Sequence, residues 1–445
     1  MRSVIAPRLR TATETLSKFH PISHVTLCVS LIASWVSQFY LLRPVNEIIS
    51  WMAADEWCTA EEAINIHCGS DYWASKAASL DANPYINPSV KLPYPPFAIA
   101  FFRWFNWLGE QTTQRFAYRI YLLLVLLACL VPVIWFVRRR PEHRWMHVFT
   151  LGLATVPTIV LLDRANQLAF CIPLLLVFAI AIRDERWLIA QASIIGLTLF
   201  KPQFLVLVLV FLASRKVFRL LTTVAVSALV LLVSFPLFMA EPRTTFDSWR
   251  KLLDTFQDGL GSINSFTNVS LVQGLSNLLE IFGRDDWASD IRLHPSHTSI
   301  AVIFIALIAF GLAGRLIEDR ILVVLAMAVA SLNVAVSWPY YLAFAMVGIV
   351  ILLDNPPSSA STSLENSLSV RVVSWLLLLA LYASLVPLPI LYSDITNRAI
   401  PSYTKFSAPV FYLSAPLLWL ALLSFVTCWS LTIRVRQLVT LVRQR

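Results

Sequence analysis

From Tyr121 the chain reads YLLLVLLACLVPVIWFV without one charged side chain, and Arg138-Arg139-Arg140 follows at once. About 20 apolar residues span the hydrocarbon core of a bilayer, and in lipid every backbone polar group must be satisfied within the segment itself. A chain that repeats this pattern folds as a bundle of membrane helices. It does repeat: spans are expected at 24–42, 116–137, 146–162, 167–182, 187–200, 202–214, 219–240, 298–316, 321–336, 340–353, 372–391 and 409–430. Only 14% of the 445 residues are charged and 58% are hydrophobic, whereas a soluble domain carries about a quarter charged residues. The expected fold class is therefore all-α, a polytopic integral membrane protein of about 12 transmembrane helices in one domain, residues 1–445.

The net charge of +9 does not point to nucleic acid. The cations cluster in short connections and at the ends, as in Arg138 to Arg140, Arg183, Arg186, Arg215, Lys216 and Arg434 to Arg445. That is the bias of the positive-inside rule. It predicts a cell (plasma or inner) membrane protein with both termini cytoplasmic and the segments 43–115, 241–297 and 392–408 outside. Met1 to His20 is polar and basic, and the first apolar run ends without a small-residue cleavage site, so no cleavable signal is expected. The run Pro95 to Leu108 carries Arg103, Trp104 and Trp107 and reads as a juxtamembrane helix in the interface. Lys201-Pro202 breaks the apolar run 187–213 into two short helices that turn at the outer face. Cys28, Cys129, Cys171 and Cys428 fall in apolar runs and are expected to pack as small hydrophobes, while Cys58 and Cys68 share the first outer loop and would allow a disulfide in an oxidising compartment.

The first outer loop sets Asp55, Glu56, Glu61, Glu62, Asp71 and Asp81 among Trp51, Trp57, Tyr72, Trp73, Tyr85 and Tyr94. Carboxylates beside aromatic rings suit a saccharide, whose ring faces are apolar and whose hydroxyls need acceptors. A carboxylate in hydrogen-bond reach of such a hydroxyl can act as general base. Asp71 opens a helix-compatible run, where the helix dipole favours its ionised form. The plainer alternative is that Ser70 or Asp71 caps that helix and the rings form an interface belt. Lys201 inside an apolar stretch is either a phosphate clamp or a lysine snorkelling from a turn. Arg164 could pair locally with Asp163, and His294 and His297 could be solvated loop residues. The spacing of the acids and of His294-x-x-His297 predicts no metal site.

Taken in order, Asp71-Tyr72, Asn83-Pro84-Tyr85, Tyr94-Pro95-Pro96, Arg164-Ala165-Asn166-Gln167, Gly196-x-x-x-x-Lys201-Pro202, Asn268-Val269-Ser270-Leu271 and Ser337-Trp338-Pro339-Tyr340-Tyr341 resemble the motifs of glycosyltransferase family 87, of the polytopic GT-C superfamily. Ala165 stands for a glycine in the Arg164-Ala165-Asn166 turn, a proline is displaced beside Lys201, and Tyr72 follows Asp71 without a gap. The resemblance implies an inverting mannosyl- or arabinofuranosyltransferase that takes its sugar from a polyprenyl-phosphate donor. The acceptor would be a cell-envelope glycolipid or polysaccharide. It implies Asp71 as catalytic base, with Asp55, Glu56 or Asp81 as fallbacks. Lys201, Arg164, His294 and His297 would bind the donor phosphate. Tyr72, Tyr85, Tyr94, Asn166, Asn268, Tyr340 and Tyr341 would bind substrate, and no cofactor is required. The competing readings are a flippase or transporter of a lipid-linked saccharide and a non-catalytic subunit of an envelope-synthesis complex.

Overall fold

The structure is a computed structural model that describes residues 69–86, 93–139, 155–257, 268–314, 316–334, 337–354, 368–385 and 414–443. The expected span 24–42, Asp55, Glu56, Cys28, Cys58, Cys68 and the late loop 392–408 lie outside these residues. The described part is helical, without strands. It begins with α1 (Ser70–Leu80), α2 (Pro96–Gln111), α3 (Gln114–Arg139) and α4 (Val156–Arg164). Then come α5 (Cys171–Arg183), α6 (Trp187–Phe200), α7 (Leu209–Ala213), α8 (Val217–Phe238) and α9 (Pro242–Gln257). The rest comprises α10 (Leu271–Ile281), α11 (Asp285–Leu293), α12 (Pro295–Ala313), α13 (Asp319–Leu332), α14 (Phe344–Leu353), α15 (Leu368–Leu385) and α16 (Ser414–Arg443).

Four of these helices are long and apolar enough to cross a membrane unaided: α3, α8, α12 and the stretch Ala415–Val442 of α16. Leu221, Leu229, Leu232 and Leu237 of α8, and Ile300 and Phe304 of α12, are exposed, as a lipid-facing surface requires. Three other expected spans are not uniform α-helices. Each is preceded by a 3-10 segment, Gln167–Phe170 before α5, Pro202–Val208 before α7 and Pro339–Ala343 before α14. The proline at the start of the second and third explains the tight opening turn. Such irregular backbone is tolerated at membrane depth only where protein buries it or a cavity receives it. The segment 241–297, expected as an outer loop, carries three helices, α9, α10 and α11. Cys129 and Cys171 pack inside as expected, whereas Cys428 lies on the exposed face of α16.

The ends of the helices sort into two charged groups. At one end Asp354, after α14, accepts from Arg139 Nη1 at 2.8 Å and Arg183 Nη1 at 2.5 Å. Arg183 also reaches Asp184 at 2.8 Å, and both arginines lie against the Trp135 ring. The residues expected inside thus meet at one end, and those of the candidate site meet at the other. The side chain of Asp354 is 2% exposed and that of Arg183 14%, whereas Arg139 is half exposed to solvent, so removing the carboxylate takes from the buried Arg183 one of its two anionic partners. Asp354→Ala is expected to cost about 1–3 kcal/mol, read as a lower thermal-unfolding midpoint in detergent. An unchanged midpoint would show that this cluster carries no stability.

Candidate active site

The site assembles at the start of α1. Gly69 adopts φ 57°, and its N–H donates to the Asp163 carbonyl at 2.9 Å, which ties the helix start to the end of α4. The N-cap position of α1 is Gly69, so Ser70 and Asp71 fall within the helix and neither occupies it. The Asp71 carboxylate is turned to other partners. Arg164 grips it with two bonds, Nη2 to Oδ1 at 2.8 Å and Nε to Oδ2 at 3.0 Å. Asn166 Nδ2 donates to Oδ2 as well, and also to the Tyr94 hydroxyl at 3.1 Å.

The turn between α4 and the first 3-10 segment is what aims these groups. Ala165 takes the left-handed conformation, φ 49°, and Asn166 Oδ1 accepts from the Leu168 N–H at 2.8 Å. That local bond fixes the carboxamide with its amino group toward Asp71. Burial pushes the Asp71 carboxyl up, but Arg164, Asn166 and the charge of Lys201 together outweigh it and hold it below the ordinary carboxylate value. Asp71 is a buried carboxylate that stays ionised.

Lys201 stands between α6 and the second 3-10 segment, outside both apolar runs, in extended conformation. It is 5% exposed, so it does not snorkel to water. Its ammonium sits 4.0 Å from the centroid of the Tyr94 ring and 5.3 Å from that of Tyr341. Desolvation pulls its pKa down to about 8, against the opposing pull of Asp71. Trp338, absent from the expected set, lies under the Arg164 guanidinium at 5.6 Å. It stands in the Ser337-Trp338 motif, and an aromatic beside a motif tyrosine pair was the available signal. Tyr340 and Tyr341 are buried against each other, 5.0 Å between centroids.

Other expected residues support the site without entering it. The Tyr85 hydroxyl donates to the Tyr94 carbonyl at 2.7 Å, and both pack in an apolar cluster with Phe235 and Trp249. Trp249 Nε1 of α9 donates to the Pro93 carbonyl at 3.3 Å, so α9 braces the strand of chain that carries Tyr94. Tyr72 is fully buried among Phe102, Phe105, Tyr118 and Tyr121. Asn268 Oδ1 accepts from the N–H groups of Ser270 and Ser337 at 3.0 and 2.9 Å, which pins the turn before α10 to the one bearing Trp338. His294 and His297 are elsewhere: they stack on each other at 5.4 Å, with His294 3.9 Å from Asp290 and its side chain 57% exposed. No contact of the described residues joins them to Asp71 or Lys201. Asp81 ends α1, about 15 Å along the helix from Asp71.

The model of glycosyltransferase family 87 matches residues 92–339, more than half of the chain. The chain belongs to glycosyltransferase family 87. No curated protein and no solved structure matches it. The family match includes Tyr94, Arg164, Asn166 and Lys201, and Asp71 reaches this group from upstream of the matched region. This glycosyltransferase therefore holds a buried carboxylate and a buried ammonium in one cluster linked through Asn166 and Tyr94.

Gly69 fixes the start of α1 by the same geometry. A Cβ there would stand 2.2 Å from the Tyr118 hydroxyl, on a backbone with positive φ. Gly69→Ala is expected to cost about 1–3 kcal/mol of local strain and to shift Asp71 away from Arg164. The variant should fold, and transfer should fall with little change in apparent acceptor affinity. Wild-type turnover in Gly69→Ala would show that the start of α1 can move without consequence.

Proposed function

We propose that this glycosyltransferase moves a sugar from a polyprenyl-phosphate donor to a hydroxyl of a cell-envelope glycolipid or polysaccharide at the outer face of the membrane, with inversion. Mannose and arabinofuranose are the sugars that the family resemblance favours. The observation that carries the reading is the pairing of an ionised, buried Asp71 with Lys201, whose ammonium has aromatic rings around it and no oxygen acceptor among its described contacts. Such a cation is completed by an anionic ligand.

In the step proposed, the acceptor oxygen bonds to the anomeric carbon while the bond from that carbon to the phosphate oxygen breaks. The bonding electrons leave with the phosphate, and the hydroxyl proton passes to Asp71. Lys201 faces the charge that develops on the departing lipid phosphate. Arg164 has a different role from the phosphate binder expected from sequence: it orients Asp71 and keeps it ionised. A low-pKa carboxylate is a weak base toward a free alcohol. It suits a transfer in which the proton leaves late, after bonding to carbon has made the acceptor oxygen acidic.

The test is donor consumption by the full chain in liposomes supplied with polyprenyl-phosphate mannose or arabinose and an envelope-lipid extract. Release of polyprenyl phosphate coupled to a glycosylated lipid supports the proposal. Movement of the intact donor between leaflets without cleavage would overturn it in favour of a flippase.

A further inference from the structure

Beyond the transfer site, the surface of α3 carries a feature that the proposed reaction does not use. Arg115 and Arg119 are exposed, one turn apart in the first turns of α3. They make no hydrogen bond or ion pair among the described residues. Three physical rules oppose this placement. Like charges at i and i+4 repel. Cations at a helix N-terminus meet the positive end of the dipole. On the outward reading of the site, these arginines also run against the positive-inside bias. This end of α3 is the site end, because Tyr118 lies against Gly69.

The same ridge continues as apolar surface. Arg115, Arg119, Leu123 and Leu127 follow at intervals of four, and all are exposed. Arg119 to Leu127 covers about 12 Å of helix, close to the hydrocarbon depth of one leaflet, about 15 Å. Beside the arginines, Trp104 and Trp107 of α2 and Phe116 of α3 are exposed at 48%, 53% and 47%, the ring chemistry of the interface. Among the described residues no ion pair joins either arginine to Glu110 at the end of α2, and Arg103 of α2 donates its Nε to the Ser79 carbonyl at 3.2 Å.

We infer that Arg115 and Arg119 bind the phosphate headgroup of an anionic lipid whose acyl chain lies along Leu123 and Leu127. Two guanidinium groups one turn apart match a phosphate's oxygens, and basic groups at the ends of membrane helices recognise anionic headgroups. A lipid held there borders α2, which packs on α1, the helix that carries Asp71.

The experiment needs no transfer activity, so it stands apart from the function proposed above. Full-chain protein would be extracted from vesicles of phosphatidylcholine with phosphatidylglycerol, and the retained lipids counted by native mass spectrometry. Wild type should retain phosphatidylglycerol over phosphatidylcholine. Arg115→Gln/Arg119→Gln should weaken that retention roughly thirtyfold, the loss of two surface cations. Arg115→Lys/Arg119→Lys should keep most of it. Arg243→Gln, an exposed cation on α9, should change nothing. The single variants Arg115→Gln and Arg119→Gln, expected to be intermediate, decide the matter should the double variant fail to fold. Equal retention in the glutamine variants, equal retention of the two lipids by wild type, or a matching loss in Arg243→Gln would each overturn the site.

Discussion

Asp71→Asn is expected to lower sugar transfer by roughly a thousandfold, the middle of the range for a positioned general base, while the variant still binds the lipid donor. Asparagine keeps the shape but has no lone pair basic enough for the acceptor proton. It also leaves Arg164, whose side chain is only 13% exposed, without its anion, so some loss of stability accompanies the loss of rate. Donor binding separates the two effects. Measured at a pH where Lys201 is still protonated, a variant that binds polyprenyl-phosphate sugar with wild-type affinity and does not turn it over has lost its base. Turnover equal to wild type would remove Asp71 from the mechanism and direct attention to Asp55, Glu56 or Asp81. The pH profile supplies a second check. Because the Asp71 pKa is lowered in the folded state, with Arg164 and Asn166 overcoming burial, its contribution to stability is full above the ordinary value of 3.8 and is lost as pH falls through the lower folded value. Transfer should accordingly show no acid limb from this group between about pH 5 and 7. An acid limb centred near pH 6 would assign the base to another residue.

The sequence made the bundle and the motif residues visible because both are local. Apolar runs identify spans within a single window, and Asp71, Arg164, Asn166 and Lys201 each stand in a short pattern. What a window cannot contain is pairing across distance. Arg164 follows Asp163 directly, and that neighbour is the partner a local reading suggests. Yet Arg164 also binds Asp71, 93 positions away, with two hydrogen bonds. That carboxylate becomes reachable only because Gly69 binds the Asp163 carbonyl and Ala165 turns the chain beneath it. Burial is the second thing that short patterns do not encode. Tyr72, Tyr85 and Tyr94 look alike as loop tyrosines, yet Tyr72 fills an aromatic core, Tyr85 braces a carbonyl, and Tyr94 touches both Asn166 and Lys201. His294 and His297 resemble phosphate ligands by residue type, but His294 stands between α11 and α12 and His297 in the first turn of α12, where they stack on each other. The 3-10 openings were hidden for a related reason. Apolar composition marks a span without revealing how tightly its first turn is wound, and those turns deliver Asn166, Lys201 and Tyr341 to one point.

Lys201→Met should separate activity from stability, because the two move in opposite directions. Methionine fills much of the volume and keeps the apolar contact with Tyr94 and Tyr341, but it carries no charge to meet a leaving phosphate. Loss of a preorganised electrostatic contact of this kind costs about a hundred- to a thousandfold in rate. Stability should rise instead. The unfolded lysine titrates at 10.5 and the folded one at about 8, so below pH 8 the fold carries the full penalty of a desolvated ammonium. Between pH 8 and 10.5 the unfolded chain binds more protons than the native one, and stability climbs with pH. Removing the amine should therefore stabilise the protein at neutral pH by something on the order of 3 kcal/mol and abolish that climb. In wild type the apparent donor affinity should weaken as pH passes about 8, where the ammonium loses its proton. Asp71→Asn should move this transition to lower pH, since the Asp71 charge is what holds the proton on Lys201. The combination to look for is a Lys201→Met protein that unfolds at a higher temperature and barely transfers sugar. A variant less stable than wild type would make Lys201 a structural residue, and one with undiminished donor affinity at every pH would exclude it from the phosphate site.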